Sequence, residues 1–414
     1  MYVSSLDRPW LETPFLFQGF PVKSQEDIDQ LRRYCKFVYI DIELGLPPAH
    51  KRMELVDIPR ATPQHIDAGV GQTGAAQPQR ISPLRNEITS HPFIRYETTV
   101  SREEELGQAR EDYGMMQHAI SNILDDIRKA KRPDIPMIKK AISPMIESVL
   151  RNPDAFMWLA MMKNRDNYSY NHSLNASVLA TNFGRTLGLS KAELIQLAMG
   201  ALLFDVGKAK LPQDLLNKPA RLTPEEFEYA KRHVEFGIKM LEGAEGMTRE
   251  VMEMASCHHE RHDGSGYPRG LQGGAIPPYG KIASIVDCYD AIISQRPYAP
   301  AMSPYEAASR LYDWRDMAFQ AELVEQFIQS IGIFPTGTLV ELSTGQVGVV
   351  IAQNRIRRLR PKIMLVLDEK KEKYGHFPII DLIAETADGQ GRKLEIAKSL
   401  EPGSHGIDTD EFYL

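Results

Sequence analysis

At 414 residues the chain has room for two or three domains, and its net charge of −6 gives no electrostatic case for DNA or an anionic membrane surface. Hydrophobic residues at 43% and charged residues at 25% are ordinary for a globular protein with a sizeable core. Three widely separated cysteines, Cys35, Cys257 and Cys288, argue against a disulfide framework and for the cytoplasm. No apolar run reaches the ~18 residues of a bilayer span. Met1 to Leu11 also lacks the basic and apolar segments of a signal peptide.

In chain order, residues 1–60 read as a small α/β unit, with a helix over Ser24 to Arg33 and a buried strand at Phe37 to Ile40. Residues 61–99 begin rich in Gly, Pro, Gln and Thr and read as a flexible linker. Residues 100–152 are helical and charged at the start, a connector. From 153 to 335 the helical pattern continues, but histidines and aspartates now sit on apolar faces. Thr223-Pro224-Glu225-Glu226 is a capping box with Pro at the first helical position, and it predicts a helix that runs on to carry His233. Residues 336–414 turn β-rich, with strands at Thr338 to Leu342, Val347 to Ile351 and Lys362 to Leu367, and a polar tail from 399. The fold class is therefore mainly α, flanked by a small α/β unit and a small β-rich region.

The chemistry concentrates in the helical stretch. A stripe of Leu194, Leu197, Ala198, Ala201 and Leu202 ends at Asp205, which must then face the core. A buried carboxylate has to be paired or to bind a cation. His172 shares a face with Ala176 and Leu179, His258 and His259 close a stripe begun by Val251 and Ala255, and Asp287 and Asp290 lie three apart beside Ile282, Ile285 and Tyr289. Any one of these histidines taken alone is more often a satisfied core or surface residue. Four inward histidines and two inward aspartates together make a costly core unless they bind metal. Their donors suit Fe, Mn, Zn or Ni without a cysteine ligand. A carboxylate such as Asp205 can bridge two ions, and an ion pair of that kind can clamp a phosphodiester and ionise water.

The run His258-His259-Glu260-Arg261-His262-Asp263-Gly264-Ser265-Gly266-Tyr267-Pro268 resembles the signature of the HD-GYP family, metal-dependent phosphodiesterases of cyclic di-GMP. Leu202-Leu203-Phe204-Asp205-Val206-Gly207-Lys208, Tyr168 to His172, His233 to Gly237, Gly270-Leu271 with Gly273, and Asp287 to Ala291 followed by Arg296-Pro297-Tyr298 extend the likeness over about 153–335. The segment with Trp10, Pro14-Phe15, Gly19-Phe20 and Cys35 to Asp41 is similar to a domain of unknown function often found ahead of HD-GYP domains. In that family residues precede the Met-Tyr-Val run, which implies that a first strand is missing here.

The resemblance implies an HD-domain helical bundle that hydrolyses cyclic di-GMP to pGpG or GMP with two divalent transition-metal ions, Fe or Mn first, Ni or Zn as alternatives. It implies His172, Asp205, His233, His258, His259 and Asp287 as metal ligands, with Asp205 bridging. Tyr168 stands where some members have a glutamate that recruits a third metal, which implies a two-metal site. Lys208 and Arg296 match positions that contact phosphates. Gly266, Tyr267 and Pro268 form the loop, with Tyr267 offering a stacking face to guanine. Asp263 either assists proton transfer or caps the Gly-rich turn. The departure is Phe204, where the family has a metal-ligating histidine; one metal position is expected to be weak. The alternative is a degenerate module that binds cyclic di-GMP or a partner protein without turnover. The resemblance also permits contact of the loop with diguanylate cyclase (GGDEF) proteins and a homodimer.

Overall fold

The computed structural model describes residues 2–6, 20–22, 25–36, 38–40, 87–129, 131–162, 168–294, 301–354 and 357–407. Most of the expected linker, together with Trp10, Pro14, Phe15, Asp41 and Arg296, lies outside them, as does the side chain of Tyr168. The chain divides into two units, Met1–Ser82 and Pro83–Leu414.

In the first unit β1 (Tyr2–Leu6) is the central strand of an antiparallel sheet, between β2 (Phe20–Pro21) and β3 (Val38–Ile40). The amphipathic helix α1 (Gln25–Tyr34) turns Leu31 inward with Cys35, onto Val3 of the sheet.

The second unit is a helical bundle followed by a sheet. α2 (Arg102–Arg128) opens with a reciprocal capping box between Ser101 and Glu104, and α3 (Ile135–Arg151) with Asp134 accepting from the Met137 amide. Both pack on α4 (Pro153–Met162). The centre of the bundle is α5 (Tyr168–Thr186), which packs against α6 (Lys191–Leu203), α11 (Pro278–Ile293) and α13 (Ala321–Ile331). α10 (Arg249–Cys257) lies on both α6 and α11. The remaining helices are α7 (Gln213–Leu216), α8 (Pro224–Lys231), α9 (His233–Leu241) and α12 (Pro304–Asp313).

Two helix boundaries differ from the sequence expectation, and both put a site residue at an end. α6 stops at Leu203, so Asp205 sits in the turn before a short 3-10 segment, Val206–Lys210. The capping box at Thr223 does open a helix, but that helix stops at Lys231 and His233 begins the next one. The Arg232 amide reaches back to Tyr229 and Ala230, tightening the last turn, and the His233 ring takes the Ala230 carbonyl at 2.8 Å.

The C-terminal sheet is antiparallel in the order β7-β6-β5-β4-β8, formed by β4 (Leu339–Leu342), β5 (Val347–Ala352), β6 (Lys362–Leu367), β7 (Ile379–Asp381) and β8 (Ile396–Leu400). Every residue of β5 is buried, since the strand also packs on α4, which explains its unbroken apolar run. The tail expected from 399 begins later. Ser399 and Leu400 pair with Val340 and Leu339, and β8 was illegible because it is a half-exposed edge strand with no clean alternation. No helix among the described residues is long and apolar enough to cross a membrane.

Candidate metal centre

Six donor residues reach one point from five places in the bundle. His172 comes from within α5, Asp205 from the turn after α6, His233 from the first residue of α9, His258 and His259 from the end of α10, and Asp287 from within α11. Asp205, His233, His258 and His259 each offer an atom within 4.8 Å of the others, and so do His172, Asp205 and Asp287. Asp205 belongs to both groups. It faces His233 Nε2 at 3.3 Å and His258 Nε2 at 3.5 Å through Oδ1, and His172 Nε2 at 3.3 Å through Oδ2. His172 Nε2 lies 3.2 Å from Asp287 Oδ1, and His259 Nδ1 lies 3.5 Å from Asp287 Oδ2.

Main-chain contact fixes part of this. A Cβ on Gly207 would fall 1.9 Å from the His233 carbonyl oxygen and 2.4 Å from the Gly237 nitrogen. Only glycine at 207 lets the segment after Asp205 lie directly on α9, which sets the spacing of Asp205 and His233.

The outer bonds fix the tautomers. His233 Nδ1 meets the Ala230 carbonyl at 2.8 Å and His258 Nδ1 the Ala255 carbonyl at 3.0 Å. A carbonyl only accepts, so each Nδ1 donates and each Nε2 turns a lone pair inward. The two Nε2 atoms are 3.3 Å apart, and in the neutral rings neither carries a proton to share. Asp205 Oδ1, although buried, has no hydrogen-bonding partner among the described residues. Lone pairs converging in this way fit a divalent cation and little else. His172 Nδ1 is held by Asp290 at 2.7 Å, the carboxylate–histidine arrangement that orients metal-binding imidazoles.

The protonation states agree. Burial raises the Asp205 carboxyl, but Lys208, in an ion pair with it, holds it well below the usual carboxylate range. Asp287 is likewise raised by burial and brought down further by His259 and His172. Burial is the main force pushing His233 and His259 below the ordinary imidazole value. Ionised Asp205 and Asp287 beside neutral His233 and His259 are the state that takes up a metal without first losing protons.

Phe204 is fully buried at the edge of this cluster. Its ring stacks on His258 at 4.8 Å between centroids and 17° between planes, and is tilted against His172 at 5.7 Å. It fills the space beside both histidines with carbon and offers no donor.

The loop after the double histidine is clamped to the centre. Glu260 is completely buried, and its two oxygens accept the amides of Arg269 and Leu271, each at 2.9 Å. The Tyr267 amide donates to the His259 carbonyl at 3.1 Å, and the Tyr267 ring stacks on His259 at 4.6 Å. A Cβ on Gly266 would lie 2.5 Å from Glu260 Cα, so the loop closes only with glycine there. Pro268, joined to Tyr267 by a cis peptide, is exposed.

Of the residues singled out in the sequence, the six donors and Phe204 converge, with Lys208 beside them. Asp263 does not join them: it is exposed, and its carboxylate takes the Ser265 amide at 2.9 Å and hydroxyl at 2.6 Å, which lowers its pKa and caps the turn. Two residues gained roles the sequence did not assign. Asp290 was visible by its spacing from Asp287, but its bond to His172 crosses two helices. Glu260 stood inside the motif with nothing to distinguish it from a surface charge.

The HD domain family profile matches residues 157–322, a domain of unknown function (DUF3391) matches 1–137, and a KOW domain associated with HD domains matches 339–401. A Pseudomonas aeruginosa protein named cyclic di-GMP phosphodiesterase PA4108 is 31% identical over 374 residues, 90% of this chain and 84% of the relative. The chain belongs to the HD-GYP family. Some relatives are named for a different ligand. The 3′3′-cGAMP-specific phosphodiesterase 2 of Vibrio cholerae is 31% identical over 159 residues, 38% of this chain and 30% of that protein. Among solved structures, the HD-GYP protein Bd1817 of Bdellovibrio bacteriovorus matches at 20% identity with a TM-score of 0.46, over 56% of this chain and 74% of that one.

Proposed function

We propose that this chain is a metal-dependent phosphodiesterase that hydrolyses cyclic di-GMP to pGpG, GMP or both. The observation that carries the proposal is the pair of donor groups sharing Asp205, with the Nε2 atoms of His233 and His258 both turned inward, 3.3 Å apart. Asp205, His233, His258 and His259 would hold one ion, and His172, Asp205 and Asp287 a second. Nitrogen and carboxylate donors suit iron, manganese, nickel or zinc, and the family resemblance puts iron or manganese first. Two such ions supply Lewis acidity to a phosphodiester oxygen and make water acidic enough to attack at neutral pH. Lys208, already paired with Asp205, adds positive charge beside the phosphate position, and Arg296 is assigned there by resemblance. Tyr267 offers a face for a base. The commitment of Asp263 to Ser265 favours its capping role over proton transfer. The exposure of Pro268 supports a loop open to a GGDEF partner, and cysteine usage supports a cytoplasmic setting. The homodimer rests on resemblance alone.

Phe204 favours a second reading, a receptor that binds cyclic di-GMP without turnover. The deciding experiment is cyclic di-GMP hydrolysis by anaerobically purified protein with Fe, Mn and Ni in turn and Asp205→Ala as control. Turnover that vanishes in the control supports the enzyme. Binding without turnover in any metal sinks it and leaves the receptor.

A further inference from the structure

Relatives of this chain are named for two different cyclic dinucleotides, so family membership alone leaves open which residues select the base. One exposed aromatic side chain stands beside the metal centre. Phe227 projects from α8 with 45% of its surface exposed, on a helix with no buried residue. Its ring stands edge-on to Tyr267, at 6.2 Å and 83°. Lys231, one turn further along α8, places Nζ 4.8 Å from the Phe227 ring centre and 5.3 Å from that of Tyr267. Tyr267 in turn lies on His259, a donor of the metal centre. Two perpendicular aromatic rings and a cation thus form a corner that continues without a break from the metal donors to the surface.

We propose that Phe227, Tyr267 and Lys231 form the subsite for one guanine base of a cyclic dinucleotide, an assignment that rests on the cyclic dinucleotide reading above. A planar base laid on either ring meets the other edge-on, both favourable aromatic geometries. Stacking of this kind is tolerant of base identity. Discrimination comes from Lys231: guanine presents two adjacent acceptors, O6 and N7, where adenine presents one acceptor beside an amino donor, and an ammonium group can only donate. In the absence of a base Nζ donates to Glu228 Oε1 at 2.6 Å. Glu228 is 69% exposed, so this solvent-screened pair holds Lys231 only weakly and lets it turn to a ligand.

The test is calorimetric binding of cyclic di-GMP and cyclic di-AMP to the metal-loaded full chain, with metal content measured on every sample. Phe227→Ala should weaken both dinucleotides about tenfold, the lower range for loss of one stacked base, and Phe227→Trp should restore binding. Lys231→Met keeps the aliphatic stem and should weaken cyclic di-GMP alone, narrowing its preference over cyclic di-AMP about tenfold. Wild-type affinity in Phe227→Ala overturns the subsite, and equal weakening of both ligands in Lys231→Met overturns the guanine assignment. Wild-type protein that binds neither dinucleotide also overturns the proposal. Wild-type protein that binds without hydrolysis defeats the phosphodiesterase reading and leaves this test in force.

Discussion

The two halves of the donor cluster are built to different standards. On one side Asp205, His233, His258 and His259 supply four donors, with two rings locked by backbone carbonyls and a third held under Tyr267. On the other, His172, Asp205 and Asp287 supply three, and the buried Phe204 ring lies against His172 with no donor to add. The three-donor half nevertheless keeps its outer support, since Asp290 still orients His172. Four braced donors on one side and three on the other make a centre whose two positions should differ in strength. The same number of histidines on inward faces does not guarantee equal binding; what each ring is braced against, and what fills the gaps, decides it.

The most severe way to break the comparison is to remove the shared residue. Asp205→Ala should abolish metal retention in both halves and lower turnover by more than about a thousandfold, well past the effect of an outer-shell change; metal analysis beside the activity assay checks it, and a variant that keeps either metal would show that the halves do not depend on Asp205. Asp290→Asn should act on one half only. It leaves His172 without its carboxylate, and the weaker-bound metal should lose about 10–100-fold in affinity while the four-donor position keeps its own; equal loss at both positions would erase the distinction. Phe204→His tests the opposite direction. If the ring is what weakens the three-donor half, bound metal should rise toward two ions per chain and turnover should rise about tenfold, within the range seen for donor-level changes; unchanged metal content would mean that the phenylalanine costs the site nothing.

The smallest effect is on stability. His233 and His259 are held below the ordinary imidazole value, about 6.5, so the folded metal-free chain binds fewer protons than the unfolded chain once pH falls below that value. Stability contributed by keeping them neutral is therefore present above about pH 6.5 and is lost as pH falls toward their folded values. Glu325, pushed up to about 7 by burial, works in the opposite sense over part of that range. The melting temperature of metal-free protein should drop by a few degrees between pH 7 and 5.5, and more steeply in Glu325→Gln, which removes the opposing group. A flat profile in that variant would contradict the histidine assignment.

Much of the centre was legible because burying charge is expensive. Asp205 at the end of a leucine stripe, and His258-His259 at the end of another, could be read as inward-facing before any coordinates. The helix ends were not, since Asp205 and His233 owe their positions to a tight turn and to a glycine contact between segments far apart in sequence. The partners of Asp290 and Glu260 are also set by tertiary packing, which hydrophobic periodicity does not encode. The same limit hid β7 and β8, short outer strands recruited by a sheet whose inner members were plain in the sequence.

The contact of Gly207 with the start of α9 has a consequence for how this centre can change over evolutionary time. A joint made of main chain touching main chain carries no information about the side chains around it. Core residues nearby can be exchanged, and Phe204 can stand at the rim, without altering the gauge between Asp205 and His233. The centre can thus be retuned one donor at a time, because its frame is set by the absence of one side chain, at Gly207, rather than by the fit of many.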